Sequence, residues 1–441
     1  MKNTILVIDG GGRGAVLVDK YAQSEHVGKI LAVPGNDIMK INSKKPVKTY
    51  PDLKTTSVGE ILEIALVEKV DLVDVAQDNA VEAGLVDILS KEGLAVIGPT
   101  KKAGRIEWDK AWSRKMLSKR GLPQPDYKVF DNFKAGEKYI RKQPNKAWFV
   151  KASGLAEGKG ALPAKSNKEA LERIKELARF GKAAENFLLE EWLVGEEFSS
   201  FALCDGKDYQ LIGSAQDHKR VNDFDGGENT GGMGCSSPPL VLTKEIKKQV
   251  EKIMGQTLET LKSQGSPYKG ILYLGGMIVW EKTGPKVYVI EFNARWGDPE
   301  AQVLVPGIKG DLFEISMAVS EGKLNQVKVR MDSKARVVVA GASRGYPGDY
   351  IGVKGKEIFG LDLVRKVEGV KLFGAGIKER ERKYYATGGR LFYLVGEGKN
   401  VIEARCKAYE AMSLVSIEGN NLHYRTDIGW RDVQRLRGNL F

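Results

Sequence analysis

Glu291-Phe-Asn-Ala-Arg-Trp-Gly-Asp-Pro-Glu300 is the stretch on which the reading of this chain turns. It follows Val287-Tyr-Val-Ile290, an apolar run that reads as a buried strand continuing through Asn293. Side chains alternate along a strand, so Glu291 and Asn293 are expected on one face and Ile290 and Phe292 on the other. A carboxylate beside an amide carbonyl makes an oxygen-only site for a hard cation such as Mg²⁺. Alone, such a pair is ordinary solvent-facing polarity. Followed at once by Arg295, Asp298 and Glu300, in a turn held by Gly297 and Pro299, it reads as a metal–phosphate site.

At 441 residues the chain is expected to hold two to four domains. Its 42% hydrophobic and 29% charged content is that of an ordinary soluble protein. No run approaches the roughly 18 apolar residues of a membrane span. The strand-like Thr4–Ile8 begins too early to leave room for a signal peptide. Cys204, Cys235 and Cys406 form no C-x-x-C pair and no disulfide framework, which fits a reducing cytosol and a cytoplasmic protein. The net charge of +12 is spread along helix-like segments such as Lys244–Lys252, with no basic block interleaved with aromatics. That favours solvated faces and phosphorylated small substrates over nucleic acid.

Strands alternate with helices over the first hundred residues: Ile5–Ile8, Lys29–Val33, Asp71–Val75 and Leu94–Ile97. This order implies right-handed βαβ units, a parallel sheet, and ligands at the carboxyl ends of the strands. One helix is expected over Ile106–Arg120, ending at the break Gly121-Leu-Pro-Gln-Pro125. Further helices are expected over Lys168–Ala178, Leu242–Gln264, Asp311–Glu321 and Val401–Ser413, and strands and tight turns dominate from Ala335 onward.

Five other segments are dense in chemistry. Lys151-Ala-Ser-Gly-Leu-Ala-Glu-Gly-Lys-Gly160 is a strand end and a glycine-rich loop. Its glycines let N–H groups approach an anion and its lysines add mobile charge, although a mobile hairpin reads the same way. It is not a Walker A loop, because no Ser or Thr follows the lysine. Phe187-Leu-Leu-Glu-Glu-Trp-Leu-Val-Gly-Glu-Glu-Phe198 can hold an adenine edge against apolar residues and a ribose with a later Glu; a strand ending in a charged turn is the alternative. Ser214–Val221 and Asp225–Gly234 are polar, glycine-rich and costly to order without a ligand. His218 there has no companion at metal-ligand spacing and reads as a hydrogen-bonding or orienting group, ahead of a general base. Asp9-Gly-Gly-Gly-Arg13 can seat a phosphate at a helix N-terminus. No acidic residue follows the second strand, where Val33 leads into Pro-Gly-Asn, which argues against a dinucleotide.

Taken together, the segments resemble the ATP-grasp ligases, and within them the phosphoribosylamine–glycine ligase family. The resemblance is carried in order by Pro34-Gly-Asn36, Lys151–Gly160, Ser214 and Gln216–Arg220, Asn229–Gly234, Glu291–Gln302, Gly345–Tyr350, Gly388-Gly-Arg390 and Asp427–Arg431. It implies an α/β ATP-grasp fold with an N-terminal Rossmann-like parallel-sheet domain (1–103). An ATP-grasp domain (104–333, flap about 124–193) and a small mixed α/β C-terminal domain (334–441) would follow. It also implies a reaction in which ATP phosphorylates glycine and 5-phosphoribosylamine attacks the acyl phosphate. Glu291 and Asn293 would then hold Mg²⁺ (or Mn²⁺). Lys110, Lys151, Gly154, Gly158, Lys159 and Gly160 would meet the ATP phosphates, Glu190 and Leu193 the adenine, and Glu197 the ribose. Arg295 would stabilise the acyl phosphate; Asp217 and Asp298 would take the glycine ammonium, with Lys219 in the catalytic set. Gly11, Gly12, Arg13, Asn36, Asp78, His218, Arg220 and Gly297 would line the substrate site. The family suggests a monomer acting on small molecules.

Departures gather at the N-terminal end. The family's G-N-G-G-R-E-H is here Asp9-Gly-Gly-Gly-Arg-Gly-Ala15, and its G-P-E-x-P-L keeps only the acidic position, as Asp78. Its G-S-K-A-F is Trp108-Asp-Lys-Ala-Trp112, its loop Asp is Ser153, its F-H-A-G-T is Phe373-Gly-Ala-Gly-Ile377, and Trp296 stands for a Phe. The readings this leaves are local compensation, a changed amine acceptor, or an impaired ATP- or purine-binding module.

Overall fold

The computed structural model describes residues 2–156 and 159–438. A five-stranded parallel sheet opens it, in the order Val47–Thr49, Val27–Val33, Asn3–Ile8, Leu72–Val75, Ala95–Ile97. The central strand alternates as a doubly covered strand should. Leu6 and Ile8 pack on one side with Ile61 and Leu85, while Ile5 and Val7 join a core that includes Leu17, Phe201, Trp296, Leu304 and Tyr393. This sheet is thus packed into the rest of the molecule, and its strand ends face the Glu291 region.

The expected helix over 106–120 is two helices, Lys101–Trp108 and Lys110–Lys119. Asp109, at φ −129° and ψ 85°, breaks the run, and its Oδ1 caps the second helix by accepting the Trp112 N–H at 3.0 Å. The Ser153 hydroxyl accepts the Ala111 N–H and donates to Asp109 Oδ1. An Asp just before a helical run is a capping signal that the 3.6-residue pattern hid.

A four-stranded antiparallel sheet follows, ordered Tyr127–Phe130, Phe187–Glu191, Trp148–Ala152, Ala161–Ala164. The largest sheet has nine strands. It runs from Gly284–Asn293 through Lys269–Glu281, Glu196–Asp205, Tyr209–Asp217 and Gly234–Ser237 to Ala335–Ser343, Arg390–Gly398 and Val370–Gly374. Leu422–His423 pairs as a branch. Strand pairing therefore continues without interruption past residue 334.

The strand that carries Glu291 contains a β-bulge: Gly275 pairs with Glu291 but Gly276 pairs with Val289. The extra residue, Ile290, shifts the side-chain parity. Val287, Val289 and Phe292 consequently share one core, and Ile290, expected to face away with Phe292, lines the cavity beside Glu197, Asp217 and Lys219.

The C-terminal segment is latched by Arg425, which is fully buried. Its guanidinium pairs with both Asp427 oxygens at 2.7 Å, with Asp225 at 3.0 Å, and with the Arg220 carbonyl at 3.1 Å. No helix among the described residues is long and apolar enough to cross a membrane.

Asp74 lies buried between the first sheet and the helix Leu312–Ser320, accepting from Tyr21 Oη at 2.8 Å, and Tyr21 Oη also lies 2.9 Å from Ser316 Oγ. Burial, reinforced by Asp9 and opposed by the Tyr21 hydrogen bond and Arg13, pushes its pKa up to about 7. A carboxyl raised on folding keeps its proton in the native state, so stability is full below its unfolded value and falls as pH rises from about 4 to about 7. Asp74→Asn is therefore expected to stabilise the protein by about 2–4 kcal/mol near pH ~8 and to be nearly neutral near pH ~4. Urea unfolding at the two pH values checks this.

Candidate active site

The strand ends of the large sheet converge on Glu291. Lys219 Nζ lies 3.8 Å from Glu291 Oε1 and 3.7 Å from Glu197 Oε2. Burial would raise the Glu291 pKa, but Lys219, Lys151, Lys110 and Arg295 outweigh it and hold the carboxyl at about 2. Glu291 is thus an ionised carboxylate acted on by cations from four separate stretches of the chain. Burial lowers the Lys110 pKa against the pull of Glu291 and Glu107, whereas Tyr273, Glu197 and Glu291 overcome burial and hold Lys219 well above its ordinary value. Arg295 folds back over the strand end, donating to Asn293 Oδ1 at 3.1 Å and pairing with Glu107 at 3.0 Å.

Among the described residues no group of three or more His, Cys, Asp or Glu can hold a metal. The chain offers two hard oxygens instead: ionised Glu291, and Asn293 Oδ1, which has one lone pair left after accepting from Arg295. Asn293 Nδ2 is buried and makes no hydrogen bond. Two oxygen ligands suit an ion that completes its shell with phosphate and water.

Glu190 is not free for a ligand. Its carboxylate receives Arg114 in bidentate fashion, at 2.7 and 3.0 Å, and Lys151 at 2.7 Å. Although it is buried, Arg114 and Lys151 hold it at about 2. Any contact to a base at this position must come from main chain at the strand end, near half-buried Leu193 and Trp192, which stacks on Phe149 at 4.8 Å. Glu197 is exposed at the cavity rim. In the glycine loop, a Cβ on Gly154 would meet the Ala183 backbone at 2.8 Å, and one on Gly160 would meet Ala156 at 2.6 Å. Lys159 is exposed, and Gly158 lies outside the described residues.

The two carboxylates expected to take an ammonium differ. Asp298 is engaged by Arg390 at 2.8 Å, Tyr393 at 3.2 Å and Gln302. Asp217 has a buried oxygen, Oδ1, with no partner, and burial together with Glu300 pushes its pKa well up. Only Asp217 is available. Gly297 sits against the Glu300 carboxylate, which would lie 2.3 Å from an added Cβ.

The N-terminal loop departs from expectation. Asp9 fills the helix N-terminus with its own carboxylate, accepting Gly11 N–H at 2.5 Å, Gly14 N–H at 3.2 Å and Arg13 Nε at 2.8 Å. Arg13 is buried and also donates to the Trp296 carbonyl at 2.8 Å, so it ties the loop to the site turn. Asn36 spends its amide on the Gly10 and Gly374 carbonyls and on the Met39 N–H. Gly12 packs under Tyr393 and Gln302, and Gly11 lies near Asp298. Asp78 is half-buried and close enough to Arg295, Glu107 and Lys110 to act on their charges.

His218, expected to hydrogen-bond or orient, accepts the Gly429 N–H on Nε2 at 3.2 Å and does not line the cavity that Asp217 and Lys219 share. Burial, then Arg425 and Arg431, push its pKa down to about 3, so it is neutral. Arg220 sits on the hairpin Arg220–Asn222 and Gly226–Asn229, bonded to the Gly227 carbonyl at 2.7 Å. The groups that the sequence reading missed are Glu107, Arg114 and Tyr273, none of which lies in a motif. Arg390 was visible in Gly388-Gly-Arg390, but only the fold shows it clamping Gly231, Gly232 and Asp298.

Comparison with known proteins covers most of the chain. The profiles of the phosphoribosylglycinamide synthetase N domain, ATP-grasp (A) domain and C domain match residues 3–107, 108–301 and 336–431. A phosphoribosylamine–glycine ligase of Caldanaerobacter subterraneus is 36% identical over 431 residues, covering 96% of this chain and 99% of that protein. The crystal structure of a phosphoribosylamine–glycine ligase from Thermotoga maritima superposes with a TM-score of 0.79 at 28% identity, over 96% of this chain and 99% of that one. The biotin carboxylase domain of the Hydrogenobacter thermophilus 2-oxoglutarate carboxylase shares the fold, with a TM-score of 0.73 at 15% identity, over 96% of this chain and 92% of that one. With three successive domain profiles in order and a full-length relative above a third identity, the chain belongs to the phosphoribosylglycinamide synthetase family and has its ATP-grasp fold.

Proposed function

We propose that this protein is an ATP-dependent ligase that joins glycine to 5-phosphoribosylamine, releasing glycinamide ribonucleotide, ADP and phosphate. The observation that carries the reading is one ionised carboxylate, Glu291, surrounded by Lys110, Lys151, Lys219 and Arg295, beside the unpartnered oxygen of Asp217. Phosphoryl transfer needs positioning and charge neutralisation more than a protein nucleophile, and this cluster offers both. Glu291 and Asn293 would hold Mg²⁺ or Mn²⁺, which when bound supplies further neutralisation of the ATP phosphates.

In this reading Lys110, Lys151 and the Gly154–Gly160 loop hold those phosphates, the main chain near Glu190 and Leu193 meets the adenine, and Glu197 meets the ribose. Asp217, whose raised pKa falls once a cation sits against it, ionises on pairing with the glycine ammonium, and this turns the glycine carboxylate toward the γ-phosphorus. A carboxylate oxygen attacks, ADP leaves, and Arg295 with Lys219 stabilises the glycyl phosphate. The amine nitrogen then attacks the acyl carbon, loses a proton, and phosphate departs. Water must be excluded while the acyl phosphate exists, a task for the glycine loop once closed. Gly11, Gly12, Asp78 and Gly297 line the acceptor side, while Arg13 and Asn36 brace it; His218 and Arg220 hold the Gly429 and Gly227 main chain instead. Divisions near residues 104 and 334, a monomeric state and a cytoplasmic location complete the proposal.

A changed amine acceptor is the second reading, favoured by one finding: Arg13 Nε and Nη1, the Asn36 amide and the Gly11 N–H are already bonded within the chain. ADP release with Mg²⁺-ATP, glycine and freshly prepared phosphoribosylamine separates the two. Release that needs both co-substrates is expected; glycine-dependent release indifferent to the amine would support the changed acceptor.

Glu291→Gln is expected to lower turnover by at least about 100-fold, as removal of a group acting on transition-state charge does; near-normal turnover would refute the role of Glu291. Asp217→Asn is expected to raise the KM for glycine by about 10–100-fold, the worth of a charge-assisted hydrogen bond, with the KM for ATP nearly unchanged. Steady-state kinetics with each substrate varied in turn checks both.

A further inference from the structure

The turn after the Glu291 strand is gripped from outside by a single carboxylate. Glu107, at the end of the helix Lys101–Trp108, is only 6% exposed. Its Oε2 accepts the Ala294 N–H at 2.7 Å, and its Oε1 pairs with Arg295 Nη2 at 3.0 Å. One residue thus holds both the main chain and a side chain of the segment that follows the strand.

The grip extends one step further. The same Arg295 Nη2 donates to Asn293 Oδ1 at 3.1 Å, while Nη1 donates to the Trp296 carbonyl at 3.1 Å. Asn293 Nδ2, on the other side of the amide, is buried and makes no hydrogen bond. Among the hydrogen bonds of the described residues, only the arginine's therefore fixes which way the Asn293 oxygen points. An arginine held by one neighbouring amide and one carbonyl is free to choose other rotamers; a third, acidic partner on a separate helix removes that freedom. That partner is Glu107. Burial pushes the Glu107 pKa up to about 7 against the pull of Arg295.

We propose that Glu107 is a positioning residue: it sets the Arg295 guanidinium and, through it, the Asn293 amide oxygen, so that the nucleotide phosphates and their cation meet both in a fixed geometry. This rests on the roles given above to Arg295 and Asn293. Glu107 touches neither nucleotide nor cation. It acts as outer-shell partners of metal ligands do, whose loss typically costs about 10–100-fold in metal affinity or activity.

The decisive measurement is ADP binding by calorimetry, with and without Mg²⁺, in the absence of glycine and amine. Glu107→Gln is nearly isosteric, but its amide has only one acceptor oxygen for two donors. It is expected to reduce the Mg²⁺-dependent gain in ADP affinity by about 10-fold or more, and to leave metal-free ADP affinity within about twofold. Glu107→Asp keeps the charge and is expected to recover part of the gain, whereas Glu107→Ala is expected to lose it fully. In turnover, Glu107→Gln is expected to lower kcat by about 10–100-fold with the KM for glycine nearly unchanged. An unchanged Mg²⁺ gain in Glu107→Gln would overturn the proposal, as would an equal loss of ADP affinity with and without metal, which marks general damage. Because binding needs no acceptor, a wild-type protein that binds Mg²⁺-ADP but makes no amide would refute the ligase reading alone and leave Glu107 to be decided by its own result.

Discussion

Four cations share one carboxylate at the centre of this molecule, and that imbalance governs what surrounds it. Lys110, Lys151, Lys219 and Arg295 all act on Glu291, and like charges at such spacing repel strongly in a partly dehydrated cleft. The fold answers with a second row of carboxylates. Glu190 stands behind Lys151 and is steadied by Arg114, Glu107 stands behind Arg295, and Glu197 lies beside Lys219. Each removes conformational freedom from a cation, so the charged groups of the cleft are held in place by protein partners rather than by solvent.

Supplying that geometry requires local breaks in regular structure. The bulge at Ile290 lets Val287, Val289 and Phe292 all enter one core while Glu291 still faces the cleft. The break at Asp109 turns one helix into two and brings Lys110 to the start of the second, next to the glycine loop, where its Nζ lies 3.3 Å from the Gly154 carbonyl. Ser153 fits that break: its hydroxyl both accepts from Ala111 and donates to Asp109, so the departure from the family's Asp has a structural use.

The N-terminal departures also have a common cause. A Cβ on Gly14 would lie 2.7 Å from the Asp9 Cβ, so a side chain at 14 and the Asp9 carboxylate compete for one volume. Asp9 then caps the helix and orients Arg13 toward the Trp296 carbonyl. Two sequence differences that look like separate losses are one rearrangement, which favours local compensation as the explanation.

Much of the fold was legible because periodicity reports burial directly: the βα alternation, the Val401–Ser413 helix and the strand before Glu291 follow from which residues avoid water. The Glu291 turn was legible because its residue types have few other uses so close together. The bulge and the capped helix break were not, since one inserted residue or one capping Asp leaves the hydrophobic pattern almost unchanged. Availability was not legible either. Asp217 and Asp298 look alike in sequence, yet Arg390, some ninety residues on, engages one and leaves the other open. His218 and Lys219 are neighbours just past a strand end, yet one meets the Gly429 N–H and the other Glu291. The sequence by itself determined the family, the order of the elements and the kinds of charge delivered to the cleft, because these depend on local pattern and residue type. Only the tertiary structure decided which charges remain free to meet a ligand, because that depends on partners far along the chain that no local pattern records.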